Sequence, residues 1–329
     1  MKRDEGGVAL ISVMLIVALV SALIYHLVER HSLVVAQARQ TIYADRALSY
    51  ALGAESYARQ LLVEDWNDPQ TRAMDTLTDR WALPGAPFEV EGGTLEIVVR
   101  DLDGRFNLNA LAAPGPNTAL TRLKTLLGAA GLDPAIADRW RDWVDADAES
   151  TGFGAEDNFY LGLDRPYRTA NRFAASTSEL RLVEGVEPDA YRAIAGDVVV
   201  LPQQDAKINV NTATLLALQS LSPQLSTARA QSLIESDRQY TDPQMLAGEV
   251  PELNNGLDGM KVTSDFFEVL ARADVNGVRA DVRCVLYRNP TDGVVTLLGR
   301  DLGRRFQSRV ANVEEDADER DADQGARSS

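Results

Sequence analysis

The sequence predicts an α+β fold: a long N-terminal helix, a small antiparallel sheet, and a large helical insertion between the two halves of that sheet. Three observations predict it. An apolar stretch from Val8 to Tyr25 passes without a break into a second helical pattern that lasts to about Trp66. Apolar and polar residues alternate, with the period of a half-buried strand, around Phe88–Val99 and again between Phe267 and Leu298. Between these regions, from Gly104 to Ser264, the pattern is helical and rich in turns.

The chain opens Met1-Lys2-Arg3-Asp4-Glu5-Gly6-Gly7, and the uncharged run from Val8 to Tyr25 follows directly. That run is just long enough to cross a bilayer as a helix. Ser12 and Ser21 are polar but can bond back to the helix backbone. Lys2 and Arg3 favour a cytoplasmic N-terminus, which puts the remainder outside. Val20-Ser21-Ala22 fits a small-residue secretory cleavage site, but the apolar run continues past it into further helix. There, Ala47, Ala51, Ala54, Ala58 and Leu61 recur at three- and four-residue spacing. Gly53 is the one strong helix breaker before Trp66, so the rod would be about 90 Å long at 1.5 Å per residue.

Phe88 and Val90, then Leu95, Ile97 and Val99, form a hairpin pattern around Gly92-Gly93. Near the other end Phe267, Val269, Ala271 and Ala273 alternate before the strong turn signal Asn276-Gly277. Val278 to Leu286 alternates after it, which makes Cys284 a buried strand residue, and a third run spans Val294 to Leu298. The insertion contains a repeat: Arg105-Phe106-Asn107-Leu108-Asn109-Ala110 matches Lys207-Ile208-Asn209-Val210-Asn211-Thr212. Asn109 and Asn211 are placed as N-caps of the helices that follow. The paired units, about 104–204 and 205–264, resemble SAM-like, helix-hairpin-helix modules.

Composition narrows the function. The 329 residues carry a formal net charge of -16, which repels phosphate backbones, so no nucleic acid is expected as a partner. A membrane-anchored, DNA-capturing helix-hairpin-helix protein is the alternative that this charge disfavours. One cysteine excludes an internal disulfide and a thiolate cluster. The two histidines, His26 and His31, both lie beside the apolar run, which leaves nucleophilic catalysis poorly supplied. A glycosidase would need two carboxyls facing a sugar cleft, and the membrane tether opposes that reading. Trp66, Trp81, Trp140 and Trp143 read as packing residues.

The densest chemistry is acidic. Asp142, Asp145, Asp147, Glu149, Glu156 and Asp157 crowd into one loop after the helix around Trp140. Counted from Asp145, carboxylates fall at positions one, three, five and twelve, close to the oxygen spacing of an EF-hand. Ser150 stands at position six where that motif needs Gly, so the loop is not an EF-hand. An oxygen-rich calcium site is expected nonetheless, because so many like charges are unfavourable without a cation. Phe153, Phe159 and Tyr160 suggest that the loop packs on a core. Asn171, in Thr169-Ala170-Asn171-Arg172, offers either an amide oxygen or a turn residue.

The short charged N-terminus ending in Gly, set against an apolar helix, resembles the cleavage site of type IV prepilin-class proteins. The resemblance implies a cut by prepilin peptidase between Gly7 and Val8, with methylation of the new terminus. Most of that class have Glu at the fifth mature position, where it neutralises a neighbour's terminal amine; here the residue is Ser12. Together with Asp101–Asn109, Asp142–Asp147 and Ile208–Ala213, this pattern resembles the K-type minor pseudopilins of type II secretion over nearly the whole chain. The resemblance implies a pilin-like fold, a structural tip subunit and calcium bound in the insertion. It also implies partnership with the I and J types of minor pseudopilin, and a bacterial inner-membrane anchor with a periplasmic domain. The organisation expected is a leader at 1–7, a transmembrane helix at 8–27, and stalk and first strands at 28–103. The insertion follows at 104–264, closing strands at 265–303, and an acidic, disordered tail at 304–329.

Overall fold

A computed structural model describes residues 6–83, 85–115 and 118–302. Leader residues 1–5 and the acidic tail from 304 lie outside the described residues. Helix α1 spans Gly6–Asn67, and Gly7 and Val8 fall in its first turn. It stops where Asp68-Pro69 follows, because a proline bars its predecessor from helical geometry. From Leu10 onward the first half of α1 is bare. It holds a segment of mean hydropathy 2.5 and is the one candidate membrane span among the described residues. The second half buries Ala47, Ala51, Ala54, Ala58 and Leu62 completely. Small residues at this spacing let the helix lie close on the sheet.

The sheet has five antiparallel strands: β1 Phe88–Val90, β2 Gly93–Asp101, β7 Phe266–Val275, β8 Val278–Arg288 and β9 Val295–Asp301, in the order β1-β2-β7-β8-β9. Asn276 and Gly277 both take positive φ, 50° and 81°, as a two-residue hairpin of this twist requires. The strand pairing of the two chain ends is as the alternation predicts, but β7 departs from simple alternation. Phe267, Val269, Ala271 and Ala273 face α1, yet Phe266, Glu268 and Leu270 are buried as well. The insertion causes part of this, since Phe266 packs against Leu102, Val199 and Leu201. Cys284 is buried among the stalk contacts, and burial pushes its thiol up to about 12.

The insertion leaves after β2 and returns before β7. It holds β3 Phe106–Asn107, α2 Thr118–Ala129, α3 Ala135–Val144, α4 Asp157–Tyr160, α5 Pro188–Ile194 and β4 Val198–Val199. A second set follows: β5 Ile208–Asn209, α6 Leu215–Ser220, α7 Thr227–Glu235, α8 Pro243–Glu249 and β6 Met260–Lys261. Both sets share one hydrophobic core.

The repeat is structural as well as sequential. β3 pairs in parallel with β4, and β5 pairs in parallel with β6. The side chains of Asn107 and Asn209 accept from the N–H two residues on. Asn109 and Asn211 do not cap helices: α6 has Thr214 at its N-cap, and α2 begins only at Thr118. Each amide instead clasps a distant backbone from both sides. Asn109 accepts from Ala174 N (2.9 Å) and donates to Ala174 O (3.1 Å), and Asn211 does the same with Tyr240 at 2.9 Å for both bonds.

A buried polar hub fixes the insertion to the sheet. Arg288, at the end of β8, donates to Asp75 (2.5 and 2.7 Å), Asp65 (2.8 Å) and Ser264 O (2.9 Å). Asp101 accepts from Ser264 Oγ at 2.6 Å and from the Thr212 hydroxyl. Asp103 pairs with Lys261 at 2.8 Å and accepts from the N–H groups of Asp265 and Phe266.

Candidate metal centre

Helix α3 positions the acidic loop. Trp140 is fully buried and donates from Nε1 to Leu108 O, and Trp143 packs edge-on against Tyr160 with ring centroids 5.6 Å apart. The helix ends at Asp145, whose N–H bonds Arg141 O, so the first carboxylate of the loop leaves a fixed base. Of the three aromatic residues expected to anchor the loop, only Tyr160 does so. Phe153 is 76% exposed and Phe159 43% exposed.

Asp145, Asp147 and Glu156 converge, with one carboxylate oxygen from each lying within 4.8 Å of the others. Asp145 and Glu156 are buried, and Asp145 Oδ1 and Glu156 Oε1 have no hydrogen-bond partner. Buried polar oxygens are rarely left so, because an unmade bond costs about 1–3 kcal/mol. Burial, followed by the charges of Asp147 and Asp142, raises the Asp145 carboxyl to about 6. Burial, followed by Asp142 and Asp145, raises Glu156 to about 7. Among the described residues these three acids form one ion pair, between Arg141 Nε and Asp145 Oδ2 at 3.9 Å. One guanidinium does not balance three carboxylates, so the donor set suits a hard divalent cation with oxygen ligands.

Asn171 is tied to α3 two residues before Asp145. It holds φ at 45°, donates its N–H to Trp143 O at 3.0 Å, and buries an Oδ1 that has no partner. It is a turn residue and an unpaired amide oxygen at once.

The remaining acids are engaged differently. Both Asp142 oxygens accept from Thr151, and Oδ2 also accepts from Ser150, which latches the loop back onto α3. Gly154 passes against that carboxylate with no space for a side chain, and Gly152 takes a positive φ of 59°. Asp157 accepts from Thr169 N and Oγ1, bonds that hold its carboxyl below the usual range, and pairs with Arg168. Glu149 is exposed and gives its N–H, at 2.9 Å, to Asp147 Oδ1. Carboxylates one, three and twelve of the counted spacing therefore come together, and the fifth stays out. The latch through Thr151 and Ser150 was not foreseen, since hydroxyls in a loop carry no spacing signal of their own.

A second group of acids, Asp65, Asp75 and Asp79, is already satisfied. Arg288 holds the first two, and Thr76 donates its N–H and hydroxyl to the third.

The family model for type II secretion system (T2SS) protein K matches residues 104–203, the part of the insertion that holds the acidic loop. Type II secretion system protein K of Pseudomonas aeruginosa is 34% identical over 323 residues, covering 92% of this chain and 95% of that protein. The protein of the same description from Aeromonas hydrophila is 30% identical over 321 residues, covering 90% and 96%. A solved structure, the GspK-GspI-GspJ complex from enterotoxigenic Escherichia coli, shares the fold. Its TM-score is 0.70 at 23% identity, over 82% of this chain and all of that one. With the stalk, sheet and insertion in place, these relationships give a pilin-like fold, and the chain belongs to the protein K family, the K-type minor pseudopilins of the type II secretion system.

Proposed function

We propose that this minor pseudopilin is a tip subunit of the periplasmic pseudopilus, with a structural calcium ion held in its insertion and a scaffolding rather than a catalytic role. The observation that carries the calcium reading is the meeting of Asp145, Asp147 and Glu156 with two buried carboxylate oxygens unpaired. Asp145, Asp147 and Glu156 would supply the ligands together with the Asn171 amide oxygen. A bound divalent charge would offset the repulsion among the acids and tie the loop after α3 to the segment around Asn171.

The tip position is supported by Ser12, which stands where the class carries Glu. Without that carboxylate the subunit has nothing to offer a neighbour's terminal amine deep in the membrane, and an unpaired charge there is costly. Cleavage by prepilin peptidase between Gly7 and Val8 would leave the apolar helix as a permanent inner-membrane anchor. Lys2 and Arg3 favour a cytoplasmic start and a periplasmic domain. The solved relative is a complex of K, I and J proteins, which supports I- and J-type minor pseudopilins as partners.

The deciding measurement is a calcium titration of the detergent-solubilised chain, by calorimetry and by thermal unfolding. Calcium at a hundredfold excess over its dissociation constant is expected to stabilise the fold by about 2.7 kcal/mol. Chelator should reverse the gain, and magnesium should substitute poorly because it demands a tighter octahedron. Asp145→Ala with Glu156→Ala should abolish the response while the sheet stays folded. Absence of both heat and thermal shift in the unaltered chain would reject the calcium site. Sequencing the mature N-terminus tests the anchor separately: a start at Val8 supports it, and a start near Leu23 rejects it.

A further inference from the structure

Strand β2 is longer than the strand that covers it. β1 pairs only with Gly93, Thr94 and Leu95, whereas β2 continues to Asp101. On its other side β2 pairs with β7 throughout, and Leu102 N–H extends that ladder to Phe266 O. Main-chain groups of an antiparallel strand alternate in direction, so Glu96, Val98 and Arg100 turn theirs toward β7. The N–H and C=O of Ile97 and Val99 face the outer edge, and no described residue bonds to them.

The chain's own preceding segment is ill suited to close that edge. Continuing the β1 register would set Ala86 opposite Ile97 and Pro84 opposite Val99. Proline has no N–H to donate, so pairing at that position would be incomplete. Leu77 to Leu83 instead stand away from β2, and a cavity of about 220 Å³ lies between them. Leu77, Trp81, Leu83 and Val98 give it apolar walls. Thr214 lines it with a buried hydroxyl that has no hydrogen-bond partner. Glu96, Arg100, Asp101 and Arg105 also line it; the Arg105 guanidinium acts through space on the Glu268 carboxylate and forms no ion pair or side-chain hydrogen bond among the described residues.

We propose that the open edge of β2 accepts an extended segment of another polypeptide as an added strand. A large aliphatic side chain of that segment fills the cavity, and a neighbouring carboxylate meets Arg105. Three independent features select this occupant. Alternating donors and acceptors at strand spacing match a peptide backbone and little else. The apolar cavity beside them fits one bulky side chain. The Arg105 guanidinium, which donates to no carboxylate among the described residues, favours an acidic neighbour, within a chain whose overall charge is strongly negative.

The test is hydrogen exchange on the full chain in detergent, with and without a short synthetic peptide of alternating Val and Thr carrying a central Leu followed by Glu. The amides of Ile97 and Val99 are expected to exchange quickly in the free chain and to slow by at least about tenfold with peptide, as for a newly paired strand. The amides of β8 should not change. Exchanging the peptide's Glu for Lys should weaken binding about fivefold, the scale of one partly exposed ion pair. Arg105→Glu in the chain should reverse that preference while the fold is kept. Unchanged exchange at Ile97 and Val99 under saturating peptide overturns the proposal, and so does binding indifferent to the charge swap. Protection that rises with chain concentration alone would make a second copy the occupant and overturn it equally.

Discussion

A methyl group placed on Gly154 would lie 1.9 Å from Asp142 Oδ2 and 2.8 Å from Thr151 O. The carboxylate it would strike is the one that latches the loop through Thr151 and Ser150, so relief by movement of Asp142 undoes the latch. Gly154→Ala is therefore expected to cost about 1–3 kcal/mol of stability, measured by chemical denaturation, and to weaken the proposed calcium binding with it. An unchanged midpoint would show that Asp142 does not hold the loop. The same residues mark how far a site can be read from a string of letters. Asp145, Asp147 and Glu156 were legible because ligand spacing in a short loop is local. Glu149 fits that spacing but was misplaced by it, since its backbone N–H, not its carboxylate, serves Asp147. Asn171 is held near the end of α3 by the bond from its N–H to Trp143 O, a contact set by tertiary packing.

Among the elements, the strands and stalk were legible from periodicity and from the turns at Gly92-Gly93 and Asn276-Gly277. The N-caps expected at Asn109 and Asn211 failed because a buried amide gains more by pairing both its donor and its acceptor with a distant backbone than by capping. The hub was illegible, because its partners are far apart in sequence: Arg288 and Asp75 are separated by 213 residues. Arg288 joins the end of β8 to the segment after α1, and its removal strands Asp65 and Asp75 in a buried setting. Arg288→Met is expected to cost about 3–5 kcal/mol, the usual penalty for breaking one side of a buried ion pair. Arg288→Met with Asp75→Asn should recover part of that loss, because only one of the two stranded carboxylates, Asp65, then stays charged. A double-mutant cycle by urea unfolding measures the recovery, and simple additivity of the two losses would mean that the pair does not join these elements.

At the scale of the whole molecule, the bare half of α1 and the folded half behave as separate concerns. Ser12 lies in the exposed apolar segment, far along the helix from Ala47, where contact with the sheet is continuous. Ser12→Glu is expected to disturb filament assembly and leave thermal unfolding of the remainder unchanged. Secretion at the unaltered level by the substituted strain, with normal filaments, would remove the support for a tip position. A further consequence lies in the way the insertion is spliced in. Asp101 and Phe267 are paired neighbours in one antiparallel ladder, so the chain departs and returns at a single point on the sheet. Topologically, everything between them is the loop of one β-hairpin. Such a loop is exchangeable: a two-residue turn after Asp101 would restore a plain scaffold of one helix and a five-stranded meander. The exchange leaves behind acids that drew donors from the insertion, Asp101 from Thr212 and Ser264 and Asp75 from the Ser264 N–H. With Asp101→Asn the shortened chain is expected to keep its strand signature in circular dichroism. The pilin scaffold then stands as a frame, and the unit with the acidic loop as cargo built into one of its turns.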